Sequence, residues 1–106
     1  MFYVQEFDVR PGITDKQMMD IYLRLAAGWS VTWPSNKLVG LFVRKFGLGP
    51  GPQFLAIWEL PDFSAFNEWR SDWPGFNDNN MRVLEDEFWG SAVNVKSRVM
   101  DRCEPM

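Results

Sequence analysis

Along the chain the rhythm of apolar and polar positions switches between a period of two and a period near 3.6, and these switches outline the elements. Residues 2–10, FYVQEFDVR, are rich in aromatic and β-branched residues and stop at Pro11-Gly12, which predicts a strand. Thr14 and Gln17 form a T-x-x-Q capping box, with Ile13 and Met18 at the hydrophobic-staple positions, so a helix is expected from Asp15. Met18, Ile21, Tyr22, Leu25 and Trp29 recur on one face of it, with Asp20 and Arg24 off that face as an i,i+4 pair. Gly28 or Ser30 is its expected end, and Trp33-Pro34-Ser35-Asn36 reads as a turn.

Two further strands are expected at 38–46, LVGLFVRKF, and 53–60, QFLAIWEL. The Gly/Pro-rich loop between them makes the pair an antiparallel hairpin. Asp62 then caps a second helical segment with Phe66, Trp69 and Trp73 as its buried stripe, interrupted at Pro74-Gly75. A third helical segment runs from about Asp78 to Phe88 on Met81, Leu84 and Phe88, with Gly90 as its stop. Residues 92–100, AVNVKSRVM, alternate: Val93, Val95 and Val99 face one way, Asn94, Lys96 and Arg98 the other.

The order is β-α-β-β-α-β with its second α broken. Right-handed crossovers place the helices on one face of a single antiparallel sheet, which is the ferredoxin-like α+β sandwich in one domain spanning residues 1–106. The other sheet face is then bare. Val39, Leu41 and Val43 point one way and Leu38, Phe42 and Phe46 the other, while Phe54 and Trp58 oppose Leu55 and Ile57. Strands apolar on both faces need cover on both. A second copy packed sheet on sheet is the simplest cover, so a homodimer through the face carrying Phe42 is expected.

Composition narrows the chemistry. The chain has no histidine, which removes Ser-His-Asp and Cys-His arrangements and His-ligated zinc or haem. It has one cysteine, Cys103, so no internal disulfide forms, and a reducing cytoplasm is the natural setting. Neither an EF-hand loop nor a GxxxxGK[ST] phosphate loop is present, and neither metal nor cofactor is expected. A net charge of −3 argues against nucleic acid. With no run of about 18 apolar residues and no charged n-region, neither a membrane span nor export is expected. Six Trp and nine Phe read first as core packing and second as a ligand pocket.

Charges within strands carry the remaining signal. If Val39, Leu41 and Val43 face the helices, Arg44 shares the open face with Phe42. If Val93, Val95 and Val99 do so, Lys96 and Arg98 point to that face too. Glu6 lies in the central strand, where a buried carboxylate is costly unless paired. Arg98, Lys96 and Arg44 are its available partners, either in a structural ion pair or with Glu6 as a general base or part of an anion clamp. Glu59 and Asp62 read as a solvated residue and a helix cap.

The element order, the VRPG step after the first strand and the AIWELPDFSAFNEW step after the third resemble the dimeric α/β-barrel superfamily, in particular its antibiotic-biosynthesis-monooxygenase-like and NIPSNAP-like members. In that group two ferredoxin-like protomers oppose their sheets to form a barrel. Some members oxidise or cyclise polycyclic aromatic substrates without a cofactor, on Trp, Tyr, Asn and Arg that polarise a phenol or enolate; haem-using members rely on a histidine that this sequence lacks. The resemblance implies a pocket for a small apolar ring compound. Residues of suitable type are Tyr22, Trp33, Arg44, Trp58, Asn94 and Arg98, and Glu6 and Phe42 complete the candidate set, none with an assigned catalytic role. The function expected is small-molecule binding, with a cofactor-independent monooxygenase, cyclase or isomerase as the enzymatic form and a non-catalytic dimeric ligand-binding or structural module as the alternative.

Overall fold

A computed structural model describes residues 1–45, 48–62, 64 and 79–103. Over these the order is β1 (Phe2–Val9), α1 (Asp15–Thr32), β2 (Lys37–Val43), β3 (Phe54–Glu59), α2 (Asn79–Ser91) and β4 (Ala92–Met100). The strands form one antiparallel sheet in the order β2-β3-β1-β4. That is the ferredoxin-like arrangement expected from the sequence. The expected helix with Phe66, Trp69 and Trp73, its break at Pro74-Gly75, and Phe46 lie outside the described residues. Asp62 itself accepts the Ser64 N–H at 2.8 Å.

The capping box at Thr14 is present in both directions. The Gln17 N–H donates to the Thr14 hydroxyl oxygen at 3.1 Å, and the Thr14 N–H donates to the Gln17 side-chain carbonyl at 2.8 Å. Replacing Thr14 with Ala is expected to destabilise the protein by about 1 kcal/mol, read as a lower denaturation midpoint; an unchanged midpoint would show that the cap contributes nothing.

Met18, Ile21, Tyr22, Leu25 and Ala26 bury the inner face of α1 against Phe7, Phe54, Ala56, Trp58 and Phe88. The helix does not stop at Gly28 or Ser30 but runs to Thr32, with Trp33 closing it by donating its N–H to the Trp29 carbonyl at 2.8 Å. Gly28 serves packing instead: a Cβ there would run into the Met81 sulfur, so the missing side chain lets α2 approach α1. Likewise α2 passes through Gly90 to Ser91. The Ser91 carbonyl accepts the Arg10 N–H at 2.9 Å, and the chain enters β4 directly with no reversing turn.

Two bulges correct the expected strand faces. In β2 the register slips between Leu38, opposite Trp58, and Gly40, opposite Ile57. Val39 is the extra residue and is 54% exposed. Leu38, rather than Val39, therefore joins Leu41 and Val43 against the core. In β4 the slip falls between the Glu6–Lys96 and Asp8–Val93 pairs, where Asn94 takes φ +55°. Past it, Val93 shares the face of Asp8, and Ala92, opposite Val9, is the buried residue. Val95 packs on the core as expected, and Lys96 and Arg98 lie on the open face.

Candidate functional site

In β1, Tyr3, Gln5, Phe7 and Val9 face the helices and Phe2, Val4, Glu6 and Asp8 face away. Because residues directly opposite in an antiparallel pair share a face, the register lays out the open surface row by row. One row runs Gly40, Ile57, Val4, Arg98, and the next runs Phe42, Leu55, Glu6, Lys96. In these two rows the β2–β3 side is apolar and the charges lie on β1 and β4, whereas the row Lys37, Glu59, Phe2, Met100 at the other end of the strands reverses that order. Phe42 is 53% exposed, and its ring lies over Gly40, where a Cβ would meet the ring at 2.9 Å.

The charged side of these two rows contains an open cleft of about 260 Å³ lined by Glu6, Asp8, Gly51, Pro52, Asn94 and Lys96. Its rim is fixed by short polar contacts. The Arg44 guanidinium donates to the carbonyls of Gly49 at 3.3 Å and Gly51 at 2.8 Å, holding the hairpin loop. Gly49 and Gly51 both sit at positive φ, which that loop shape requires. Glu6 pairs with Arg98 at 3.0 Å. Asp8 accepts the Gln53 backbone N–H at 2.8 Å and the Asn94 amide at 3.1 Å. Those two bonds, helped by the charges of Arg44 and Lys96, hold its carboxyl below the usual carboxylate range against the opposing effect of burial. The left-handed backbone at Asn94 is what turns its amide toward Asp8. Among the described residues, no side chain pairs with the Lys96 ammonium.

Across the sheet lies a second polar group, enclosed in the core. The Trp58 indole donates to the Tyr22 hydroxyl at 2.9 Å, and that hydroxyl donates to the Gln5 side-chain carbonyl at 2.9 Å. Burial pushes the Tyr22 phenol well above its ordinary pKa. Trp29, 5.6 Å from Trp58 between ring centres, donates its indole N–H to Glu85 at 3.0 Å. Burial also raises the Glu85 pKa above its ordinary value, with the Trp29 bond opposing and Asp86 adding to the rise. In the unfolded chain this carboxyl loses its proton near the ordinary glutamate value, earlier than in the fold. Stability therefore falls as pH rises from there through the raised folded value. Glu85→Gln should raise the melting temperature at pH 7 and leave it nearly unchanged at pH 4, measured by calorimetry; equal effects at both pH values would show that Glu85 titrates normally.

The sequence-derived candidates divide between the two sides of the sheet. Glu6, Phe42, Asn94 and Arg98 occupy the open face, with Arg44 at its hairpin end. Tyr22 and Trp58 lie together in the core, and buried Trp33 caps α1. Asp8, Gln5 and Glu85 were not among them. Gln5 had a visible signal, a polar residue in phase with Tyr3 and Phe7, and so did Glu85, four residues after Met81 on the apolar stripe.

No family model matches the chain, and no curated protein does. Solved structures match nearly all of it. A protein from Arabidopsis thaliana aligns with a TM-score of 0.67 at 12% identity, covering 99% of this chain and 97% of that one. An uncharacterized NIPSNAP domain protein from Burkholderia xenovorans aligns with 0.68 at 13%, covering 99% and 98%. A dimeric ferredoxin-like protein of unknown function from Thermobifida fusca aligns with 0.64 at 9%, covering 92% and 85%. The chain has a ferredoxin-like fold, shared with that NIPSNAP domain protein. At these identities the likeness is one of fold alone, so chemistry has to be argued from the open face and the core. Among the described residues no helix is long and apolar enough to cross a membrane, and no group of acidic or cysteine side chains could hold a metal ion.

Proposed function

We propose that the protein is a small-molecule-binding dimer whose two open sheet faces enclose the ligand. The observation that carries this reading is that the face sets an apolar stretch at Phe42 and Leu55 beside a polar cleft at Glu6, Asp8 and Lys96. Sheet-on-sheet pairing would cover the half-exposed Phe42, and the cleft offers both signs of charge for complementary contact. The Thermobifida fusca protein, described as dimeric, has the same fold and lends the arrangement support.

Binding is a better fit to this cleft than turnover. A general base needs a carboxylate free to accept a proton near neutral pH. Glu6 is committed to Arg98, and Asp8 is held as a carboxylate by Gln53 and Asn94. We therefore place the carrier or ligand-sensing role before the cofactor-independent oxidase, cyclase or isomerase role. Sedimentation at micromolar concentration, combined with a thermal-shift screen of small ring compounds, tests both parts. A dimer stabilised by a ring compound supports the proposal. A stably folded monomer, or a dimer that no compound stabilises, overturns it.

A further inference from the structure

Gly40 lies inside β2, where a glycine costs about 0.5–1 kcal/mol relative to alanine and marks a local need. Its backbone does not supply that need. Among the described glycines, positive φ occurs at Gly12, Gly49 and Gly51 and not at Gly40, so an alanine could take its conformation. The need lies in the space above it. The three atoms that a Cβ there would meet first all belong to the Phe42 ring, with Cζ at 2.9 Å, Cε2 at 3.0 Å and Cε1 at 3.7 Å. Beyond the Val39 bulge the register is regular, so Gly40 and Phe42 are same-face neighbours opposite Ile57 and Leu55. Such neighbours stand roughly 6.6 Å apart along a strand, and side chains ordinarily project away from the sheet. The tip of the Phe42 ring reaches Gly40 only by lying along the strand.

We infer that Gly40 is a specificity-determining residue, which lets the Phe42 ring lie along β2 instead of standing into the barrel and so keeps room for the ligand's ring between the two sheets. This rests on the barrel reading above. Sheets packed face to face are about 10 Å apart, and side chains standing off both of them fill that gap. A phenylalanine standing on each protomer would close the space over Leu55 and Ile57. Lowered onto Gly40, it leaves depth there. Phe42, Leu55 and Ile57 then form an apolar floor, and the polar cleft begins at Glu6, opposite Leu55. A β-branched side chain at position 40 would take the place of the ring and drive it upright.

The test titrates 1-naphthol into the full chain by calorimetry, with sedimentation in parallel. The wild type is expected to bind as a dimer. Gly40→Val should stay dimeric and bind about tenfold more weakly or worse. Phe42→Leu in the Gly40→Val background should regain most of that loss, which a folding defect caused by the valine would not allow. A wild-type dimer that does not bind, equal binding by wild type and Gly40→Val, or no recovery in the double variant overturns the assignment of Gly40. So does dissociation of Gly40→Val, which would show that the lowered ring serves close approach of the sheets instead. A wild-type monomer in sedimentation overturns the barrel itself, and is thereby told apart from a failure at Gly40.

Discussion

Phe42→Asp is expected to convert the protein from a dimer to a folded monomer at micromolar concentration. Phe42 lies on the open face with its ring over Gly40 and about half its surface exposed in the single chain, so the isolated protomer can carry a charge there in contact with water. In a two-fold assembly each substitution appears twice, and both carboxylates would be removed from water where aromatic rings had packed. At roughly 2 kcal/mol or more for each unpaired charge, the dimer weakens by about a thousandfold. Phe42→Leu, which keeps apolar contact, should remain dimeric. Val31→Asp is the matched control, since Val31 is 84% exposed on α1 and away from the sheet. Sedimentation of all three decides the matter: a dimer in Phe42→Asp, or dissociation in Val31→Asp, places the interface elsewhere.

The elements were legible because their signals are local. A hydroxyl and a glutamine three residues apart determine where α1 begins, aromatic and β-branched residues ending at Pro11-Gly12 mark β1, and alternation marks β4. The strand faces were less legible, since a bulge depends on how a strand meets its neighbour. Val39 reads as one more alternating apolar residue until β3 pairs across it, and Asn94 as an outward polar residue until its backbone turns left-handed toward Asp8. Glycine misled at Gly28 and Gly90 for a related reason. Its role as a helix stop is local, whereas its role at Gly28 is to admit Met81 from a helix more than fifty residues on. The open-face site follows the same division. That Glu6 needed a basic partner could be read from its place in a central strand, and Arg98 was among the three named. That Arg98 rather than Lys96 or Arg44 would be that partner could not, because it follows from which groups each of them meets in three dimensions.

The core polar chain yields the largest expected change in stability. Tyr22→Phe removes one oxygen and leaves the ring stacked on Phe7, whose centre is 5.4 Å away, so packing is almost unaltered. What changes is the state of two buried neighbours. The Trp58 indole N–H, on a residue 1% exposed, loses its acceptor, and the Gln5 carbonyl, on a residue 3% exposed, loses its donor. An unsatisfied buried polar group costs about 1–3 kcal/mol, so the pair should cost about 2–4 kcal/mol. For a domain of this size that is a fall in melting temperature on the order of 10 °C or more. Gln5→Leu in the Tyr22→Phe background removes one of the two orphans and should recover part of the loss, a coupling that a double-mutant cycle isolates. If instead the two substitutions simply add, or Tyr22→Phe melts with the wild type, Trp58 and Gln5 are satisfied without the hydroxyl. In that case the chain linking α1, β1 and β3 does not hold the helix to the sheet.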